Sequence, residues 1–244
     1  MERLTQAVEA RDGVAVSFDL YWMDGREAAV IVCPGFFKSK ETPVFHRISS
    51  ALAEERDVVC MDFRGHGRSG GLYTFSAQES SDLDAVLGWA AARYRRIGVL
   101  GFSLGAAIAI NTVSRTPGGV RSLIAVSAPS SFEQIEYKWW TLRAIRGGIR
   151  GLEPGAGFRP GNPFLKKERP IERMNSLNGI PTLFIHGSRD AIVGVRHSHR
   201  LYAAAAEPKR LEIIESGSHA EGLFRDDPKR LSGLANDWFA QTLV

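Results

Sequence analysis

Short apolar runs alternate with segments of helical periodicity along most of this 244-residue chain. A wholly apolar run such as 28–33 is typical of a strand that is buried on both faces of a sheet. Apolar residues spaced three and four apart indicate amphipathic helices between such strands. The alternation predicts an α/β fold whose mostly parallel strands are joined by crossover helices. The predicted strands are 14–21, 28–33, 57–62, 97–102, 122–127, 182–186 and 211–215, and the predicted helices are 42–55, 76–94, 104–114, 197–205 and 227–242.

The composition is that of an ordinary globular protein, with 44% hydrophobic and 24% charged residues. The first 13 residues contain no apolar run, which argues against a secretory signal. The longest apolar stretch, around 28–37, is far shorter than the roughly 20 residues that span a bilayer. Cys33 and Cys60 lie in strand-like segments, where buried free thiols are expected. We therefore expect a cytoplasmic protein with no stable membrane insertion.

The net charge of +4 belongs to one segment of the chain. Residues 132–169 contain eight Lys or Arg and four Asp or Glu, whereas the remainder carries equal numbers of both signs. A nucleic-acid-binding domain usually spreads its basic residues along a face or a helix. We therefore expect no nucleic-acid partner.

The strongest chemical signal is the pentapeptide Gly101-Phe102-Ser103-Leu104-Gly105. It lies where a predicted strand meets a helix that is rich in small residues. A nucleophile elbow has this arrangement, in which a strained turn exposes the serine hydroxyl above the edge of the sheet. Gly101 and Gly105 remove the Cβ atoms that would collide across the turn. The pattern predicts that Ser103 is a nucleophile.

A serine nucleophile needs a base that removes its proton. His219 lies in a loop between the last predicted strand and the last predicted helix, and such loops line the ligand site of an open α/β sheet. We predict that His219 is the general base. The competing histidines lie in predicted helices, at a strand end or in another loop, and they are His46, His66, His186, His197 and His199.

The acid that orients the histidine should come from a third loop of this kind. Asp190 follows a predicted strand closely, although it could also serve only as a helix N-cap. The stretch 127–131, which follows the preceding predicted strand, contains no carboxylate. The sequence therefore predicts Asp190 as the acid, and serine, aspartate and histidine then occur in the chain order typical of α/β sheets with a nucleophile elbow.

A tetrahedral intermediate also needs hydrogen-bond donors for its oxyanion. The backbone N–H of Leu104, directly after the proposed nucleophile, is one candidate. Gly35 follows the strand 28–33 and allows a sharp turn, which would direct the N–H of Phe36 into the site. A hydrophobic surface loop is the alternative interpretation of this stretch.

Together these motifs resemble the α/β-hydrolase superfamily, particularly its small carboxylesterases and its monoacylglycerol-lipase-like and serine-aminopeptidase-like members. The resemblance implies an α/β-hydrolase fold with a doubly wound, mostly parallel, eight-stranded sheet. It also implies that the loop containing His66 is structural. Many relatives have histidine before the oxyanion glycine, where this chain has Pro34. The resemblance covers nearly the whole chain and rests on Pro34-Gly35-Phe36, residues 62–69, the elbow, residues 186–190 and Gly217-Ser218-His219.

The alternation of strands and helices breaks only at 132–169, which we interpret as an insertion in a single domain that spans 1–244. In the family that the chain resembles, an insertion at this point forms a cap over the site. Its apolar residues recur at helical spacing, and this face either packs on the core or roofs an apolar acyl pocket. We favour the pocket, because the insertion lies beside the predicted site. The expected pocket residues are Trp139, Leu142 and Ile145.

These inferences predict a serine hydrolase that cleaves carboxylic esters with small to medium acyl chains through an acyl-enzyme. Thioesterase, lysophospholipase or monoacylglycerol lipase, amidase, aminopeptidase and C–C hydrolase activities use the same triad and remain open. A non-catalytic binding protein on the same scaffold is a remote alternative. We expect a small acyl substrate as the partner and no metal or organic cofactor. We leave homodimer formation open.

Overall fold

A computed structural model describes residues 1–115, 119–133, 135, 157–177 and 179–244. Eight strands, seven α-helices and one 3₁₀ helix are found in these residues. The strands are β1 (Glu2–Glu9), β2 (Ala15–Trp22), β3 (Ala28–Cys33), β4 (Asp57–Met61), β5 (Arg96–Phe102), β6 (Ser122–Val126), β7 (Thr182–Gly187) and β8 (Lys209–Ile214). The helices are α1 (Pro43–Leu52), α2 (Ser80–Ala91), α3 (Leu104–Val113), α4 (Pro170–Arg173), α5 (Arg196–Ala204), α6 (Gly222–Asp226) and α7 (Pro228–Thr242), with the 3₁₀ helix at Met174–Leu177.

All eight strands form one sheet in the order β1-β2-β4-β3-β5-β6-β7-β8. β1 and β2 pair antiparallel, as do β2 and β4, and the other neighbours are parallel. The predicted doubly wound, mostly parallel, eight-stranded sheet is therefore confirmed. β3 lies between β4 and β5, so the chain turns first to one side of β3 and then to the other. Open α/β sheets bind their ligands at such a switch point.

β1 is the strand that the hydrophobic pattern does not predict. Most of its side chains are exposed, so its sequence lacks the alternation of a strand with one buried face. Backbone pairing holds β1 in the sheet: all eight of its residues pair with β2, from Glu2 opposite Trp22 to Glu9 opposite Ala15. Pairing between strands depends on the partner strand and leaves little trace in the local pattern.

The helix predicted at 76–94 begins later, at Ser80. Phe75 and Ser76 have φ values of 57° and 80°, which lie outside the right-handed helical region. The buried carboxylate of Glu79 accepts hydrogen bonds from the backbone N–H and the hydroxyl of Thr74. These contacts hold the preceding residues in a separate turn.

Two hydrophobic clusters cover the two faces of the sheet. Helices α2, α3, α4 and α5 pack over one face, and α1, α6 and α7 pack over the other. β3 to β7 are buried on both faces, which explains their continuous apolar runs. This packing fixes the carboxyl ends of β3, β5, β7 and β8, from which the candidate site is built.

A buried charge cluster anchors the loop that follows β3. Lys40 has a fully buried side chain, and its ammonium lies 2.8 Å from Glu41, 3.5 Å from Asp62 and 3.6 Å from Asp19. Its backbone N–H also donates to the Asp62 carboxylate at 2.7 Å. Burial raises the pKa of Asp62 to about 6, although Lys40 and two backbone N–H donors act in the opposite direction. The cluster therefore joins the β3 loop to β2 and to the end of β4.

We expect Lys40→Met to lower the free energy of unfolding by about 3–5 kcal/mol, because it leaves the buried carboxylate of Asp62 without the Lys40 ammonium. The deficit should be smaller at pH 5 than at pH 8, since Asp62 has a raised pKa and is neutral at the lower pH. Urea denaturation of both proteins at the two pH values measures this difference.

Arg68→Met is the matched control for the loss of a cation. Arg68 contacts Glu41 at 2.9 Å, but its side chain is 64% exposed. An exposed ion pair contributes about 0–1 kcal/mol, so this variant should stay close to wild type. Equal losses in the two variants would contradict a special contribution from the buried ammonium.

Candidate active site

Ser103 lies at the sharp turn between β5 and α3. Its φ and ψ angles are 52° and −119°, a conformation that non-glycine residues rarely adopt. A Cβ atom on Gly101 would lie 2.5 Å from the Cα atom of Ala106, and one on Gly105 would collide with the carbonyl oxygens of the β3 loop. The absence of side chains at Gly101 and Gly105 therefore permits this turn.

A continuous chain of hydrogen bonds joins the three predicted catalytic residues. The Nε2 atom of His219 lies 2.9 Å from the Ser103 hydroxyl, and its Nδ1 atom lies 2.7 Å from the Oδ2 atom of Asp190. A carboxylate only accepts, so Nδ1 carries the proton and Nε2 is free to accept from the serine. The structure thus brings together Ser103, Asp190 and His219, which are far apart in the chain.

Backbone packing holds the histidine loop against the loop that carries Asp190. A Cβ atom on Gly187 would collide with the carbonyl oxygens of Gly217 and Ser218, so the two loops approach each other as only glycine permits. The backbone N–H of Ala220 donates to the buried hydroxyl of Ser127 at 3.0 Å. His219 is therefore fixed by the ends of both β6 and β7.

Asp190 is buried and is surrounded by donors. Its Oδ1 atom accepts the backbone N–H groups of Ile192 and Val193, each at 2.9 Å. Burial acts to raise the pKa of Asp190, but hydrogen bonds from His186 and His219 outweigh it and hold the pKa well below its usual range. The carboxylate is therefore ionised at neutral pH.

His186 is a member of the site that the sequence interpretation did not assign. Its fully buried ring lies at the end of β7, with Nε2 3.2 Å from the Oδ2 atom of Asp190. The available signal was its spacing of four residues from Asp190 across a turn that begins with Gly187. Spacing alone does not show on which side of the strand the ring lies.

The loop after β3 packs directly against the nucleophile. A Cβ atom on Gly35 would lie 3.3 Å from the Cβ atom of Ser103. The backbone N–H of Phe36 donates no hydrogen bond to another described residue. Leu104 is the first residue of α3, where N–H groups have no partner within the helix. Both predicted oxyanion donors thus lie next to Ser103 in the structure.

An ion pair connects this loop with the histidine loop. The ammonium of Lys38 lies 3.6 Å from the carboxylate of Glu221, and both side chains are largely buried. Glu221 is only two residues beyond His219. The pair therefore bridges the loop after β3 and the loop that carries His219.

Aromatic side chains form a continuous cluster beside the β3 loop. The Phe36 ring lies 3.8 Å from Phe37, 5.3 Å from Phe75 and 5.2 Å from Phe158, measured between ring centroids. The Phe158 ring also lies 4.6 Å from Phe37. These four rings are partly exposed and form an apolar surface. Phe36 and Phe37 bring this surface to within two residues of Gly35 in the chain.

Phe158 belongs to the segment 157–161, which lies within the predicted cap insertion at 132–169. Backbone hydrogen bonds tie this segment to the loop after β4, from Tyr73 to Arg159, from Arg159 to Gly65 and from Gly161 to Tyr73. The predicted pocket residues Trp139, Leu142 and Ile145 lie outside the described residues. The aromatic cluster was not predicted, because it depends on contacts between three separate loops.

His66 lies within this aromatic environment and away from the hydrogen-bond chain. Its ring centroid is 4.5 Å from Tyr73 and 5.2 Å from Phe158. Its Nδ1 atom lies 3.3 Å from the carbonyl oxygen of Arg64, and its Nε2 atom has no partner among the described residues. Burial lowers the pKa of His66 to about 4. The ring packs as a neutral group in the loop after β4.

Metal-binding and membrane-spanning features were sought in the same residues. The described part of the chain has no group of three or more His, Cys, Asp and Glu side chains that could hold a metal ion. None of its helices combines the length and apolar character needed to cross a bilayer.

Comparison by sequence identifies a family model and several relatives. A model described as the alpha/beta hydrolase fold matches residues 28–145. The uncharacterized protein Rv2307c of Mycobacterium tuberculosis is 28% identical over 234 residues, which cover 93% of this chain and 73% of that protein. The uncharacterized protein YqkD of Bacillus subtilis is 30% identical over 178 residues, covering 67% of this chain and 56% of YqkD. The uncharacterized protein YfhR of Escherichia coli is 27% identical over 169 residues, covering 68% and 54%.

Comparison by structure gives similar folds over nearly the whole chain. The Pyrococcus furiosus esterase Pf2001 superposes with a TM-score of 0.80 and 21% identity, covering all of this chain and 92% of that one. A putative aryl esterase from Burkholderia cenocepacia has a TM-score of 0.80 and 19% identity, with 98% of each chain covered. At these identities the similarity establishes the fold.

We expect His66→Phe to make the stability of the protein less sensitive to acid. The folded chain keeps His66 neutral down to pH of about 4, whereas in the unfolded chain the group titrates near pH 6.5. The unfolded state therefore binds an additional proton in this window, and the free energy of unfolding of the wild type falls by about 3 kcal/mol as the pH falls through it. Denaturation curves at pH 7.5, 5.5 and 4.5 measure the difference between the two proteins.

His199→Gln is the control, because it removes one exposed imidazole without altering the buried aromatic environment. The free energy of unfolding of this variant should change with pH as that of wild type does. Parallel pH profiles for wild type and His66→Phe would contradict the buried, neutral state of His66.

Proposed function

Because the chain belongs to the α/β-hydrolase superfamily, we propose that it is a serine hydrolase that cleaves carboxylic esters through an acyl-enzyme. Ser103 is the nucleophile, His219 the general base and Asp190 the acid that orients the histidine. The observation that carries the proposal is the hydrogen-bond chain from the Ser103 hydroxyl through both nitrogens of His219 to Asp190. A serine hydroxyl becomes a good nucleophile only when such a base accepts its proton.

The first half of the reaction transfers the acyl group to the enzyme. The Ser103 oxygen attacks the ester carbonyl carbon while His219 accepts the hydroxyl proton at Nε2. The backbone N–H groups of Phe36 and Leu104 stabilise the oxyanion of the tetrahedral intermediate. His219 then donates the proton to the leaving alcohol, and the C–O bond breaks. Water repeats the sequence on the acyl-enzyme and releases the carboxylic acid.

Asp190 acts through its charge in this mechanism. Its donors keep the carboxylate ionised, so it stabilises the imidazolium that forms at His219. It also keeps the proton of the resting imidazole on Nδ1, which leaves Nε2 as the acceptor. A neutral acid at this position would favour the wrong tautomer.

Two observations support esters with small to medium apolar acyl groups as substrates. The names of two structural neighbours, an esterase and a putative aryl esterase, favour ester hydrolysis by analogy. The aromatic cluster of Phe36, Phe37, Phe75 and Phe158 offers an apolar surface beside the proposed oxyanion donors. The same triad also serves thioesterases, lipases of monoacylglycerols or lysophospholipids, and amidases or aminopeptidases, so the substrate series must include these bonds.

The serine-hydrolase assignment is tested with a fluorophosphonate probe. We expect covalent labelling of wild type at Ser103, no labelling of Ser103→Ala, and a large loss with His219→Ala. Single triad substitutions reduce kcat by on the order of 10⁴- to 10⁶-fold in comparable enzymes, and Asp190→Asn should be the mildest of the three. The Ser103→Ala variant should keep the wild-type Tm, because it removes only a hydroxyl at the edge of the site.

Folded wild-type protein that remains unlabelled would favour the non-catalytic binding alternative. Peptide mapping of the adduct is the control for specificity. An adduct at another serine would show that Ser103 is not the nucleophile.

The ester assignment is tested with acyl esters of graded chain length beside matched thioesters and aminoacyl amides. Each buried methylene contributes about 0.8 kcal/mol, so kcat/KM should rise about fourfold per carbon until the apolar surface is filled. Phe158→Ala should flatten this rise while acetyl esters stay close to wild type. Measurement of kcat/KM for each chain length gives both results.

Phe164→Ala is the matched control, since Phe164 lies six residues after Phe158 in the described stretch 157–177 but is 89% exposed. It should keep the wild-type chain-length profile. Faster cleavage of the thioester or amide series would reassign the substrate class, and a uniform loss over all lengths in Phe158→Ala would contradict an acyl-binding role for the aromatic cluster.

A further inference from the structure

Two imidazole rings converge on one oxygen of Asp190. The Oδ2 atom lies 2.7 Å from His219 Nδ1 and 3.2 Å from His186 Nε2. The other oxygen, Oδ1, is occupied by the backbone N–H groups of Ile192 and Val193. The mechanism described above uses only the contact with His219. The second imidazole is buried, polar and adjacent to the proposed reacting groups, without a role in the transfer of protons.

The neighbours of His186 determine which of its nitrogens carries a proton. Nε2 lies 2.7 Å from the carbonyl oxygen of Val193 in addition to its contact with Asp190. Both neighbours are acceptors, so Nε2 must be the donor. In the neutral ring, Nδ1 then accepts from the hydroxyl of Ser198, which lies 2.6 Å away on α5. His186 and Ser198 are both fully buried, so bulk solvent does not compete for these contacts.

The His186 ring also closes the loop that carries Asp190. Val193 donates its N–H to Asp190 and receives the Nε2–H of His186 at its carbonyl oxygen. Both ends of the loop are thereby fixed, one by β7 and the other by the imidazole. A carboxylate held at both oxygens in this way has one orientation toward His219.

We propose that His186 is a positioning residue of the active site, whose Nε2–H group donates to the Val193 carbonyl oxygen and, at 3.2 Å from the Oδ2 atom of Asp190, holds that oxygen toward His219 and moderates its basicity. The proposal rests on the proposed function, because it assigns His186 a role in tuning the proposed general base. His186 contacts no substrate and transfers no proton. It acts through Asp190.

The electrostatic consequence has a definite sign. A carboxylate that loses a hydrogen-bond donor becomes more basic and attracts the Nδ1 proton of His219 more strongly. The imidazolium of His219 is then easier to form, so catalysis requires a higher pH to keep the base unprotonated. Among the described residues, the titratable groups that face Asp190 are His186 on β7 and His219 in the loop after β8.

The test compares two amide substitutions of His186. The amide nitrogen of Gln is as many bonds from Cβ as Nε2 of histidine, so His186→Gln retains a donor toward Asp190. Asn corresponds in reach to Nδ1, so His186→Asn retains a polar group near Ser198 but does not reach Asp190. The readouts are kcat and the pH dependence of kcat/KM on one ester, together with the Tm of each variant.

We expect His186→Asn to lower kcat about ten- to a hundredfold, the usual cost of losing the group that orients a reacting residue. The acidic limb of its kcat/KM profile should move to higher pH by roughly half a unit or more. This is a fraction of the shift that the full free energy of a charge-assisted hydrogen bond would give. His186→Gln should keep kcat within about fivefold of wild type and leave the limb in place.

Equal losses of kcat in the two variants with an unmoved acidic limb would overturn the proposal and show that His186 only supports packing. Wild-type kinetics in His186→Asn would overturn it as well. If His186→Asn does not fold, His186→Gln decides: a folded Gln variant with a displaced limb, or with more than a tenfold loss of kcat, overturns the proposal. Wild-type enzyme without turnover or probe labelling would overturn the proposed function together with this inference, whereas active enzyme with unaffected variants overturns this inference alone.

Discussion

The close approach of three backbone segments around Ser103 is the constraint on which the rest of the site depends. β5 must end, turn and begin α3 within a few residues while the loop after β3 passes alongside. The positive φ of Ser103 is strained, by about 1–3 kcal/mol for a non-glycine residue. Burial of β5 and α3 in the two hydrophobic clusters holds the turn in this conformation. The elbow can therefore exist only inside the completed sheet.

The same close approach determines where the candidate oxyanion donors lie. Gly35 packs against Ser103, so the loop brings Phe36 next to the nucleophile that Leu104 directly follows in the chain. Lys40 anchors this loop through its contacts with the buried carboxylates of Asp19 and Asp62. The Lys38–Glu221 pair connects the loop to the histidine loop. The aromatic cluster forms on the outer side of the same loop. One short loop thus connects the nucleophile, the base and a candidate surface for the acyl group.

Two buried aspartates that follow the carboxyl ends of β4 and β7 show how the surroundings of a carboxyl group determine its charge. Burial raises the pKa of Asp62 to about 6, although Lys40 and N–H donors oppose it. Asp190 is also buried, yet two imidazoles and backbone N–H groups lower its pKa well below the usual range. Desolvation dominates at Asp62, whereas donors that favour the charged form dominate at Asp190. Asp190 is accordingly suited to support a cationic histidine, and Asp62 to anchor a lysine.

The sequence by itself determined the alternation of strands and helices, the elbow and the order of serine, aspartate and histidine. These features have local signals: apolar runs mark buried strands, and glycines two residues either side of Ser103 mark a turn that excludes side chains. The roles of Ser103, Asp190 and His219 stay predictions, but their convergence follows from the loops in which they lie. Only the tertiary structure decided that β1 pairs along β2, that His186 reaches Asp190 and that Phe158 packs on the β3 loop. Each of these depends on partners distant in the chain or on the side of a strand to which a ring turns, and neither leaves a local pattern in the sequence.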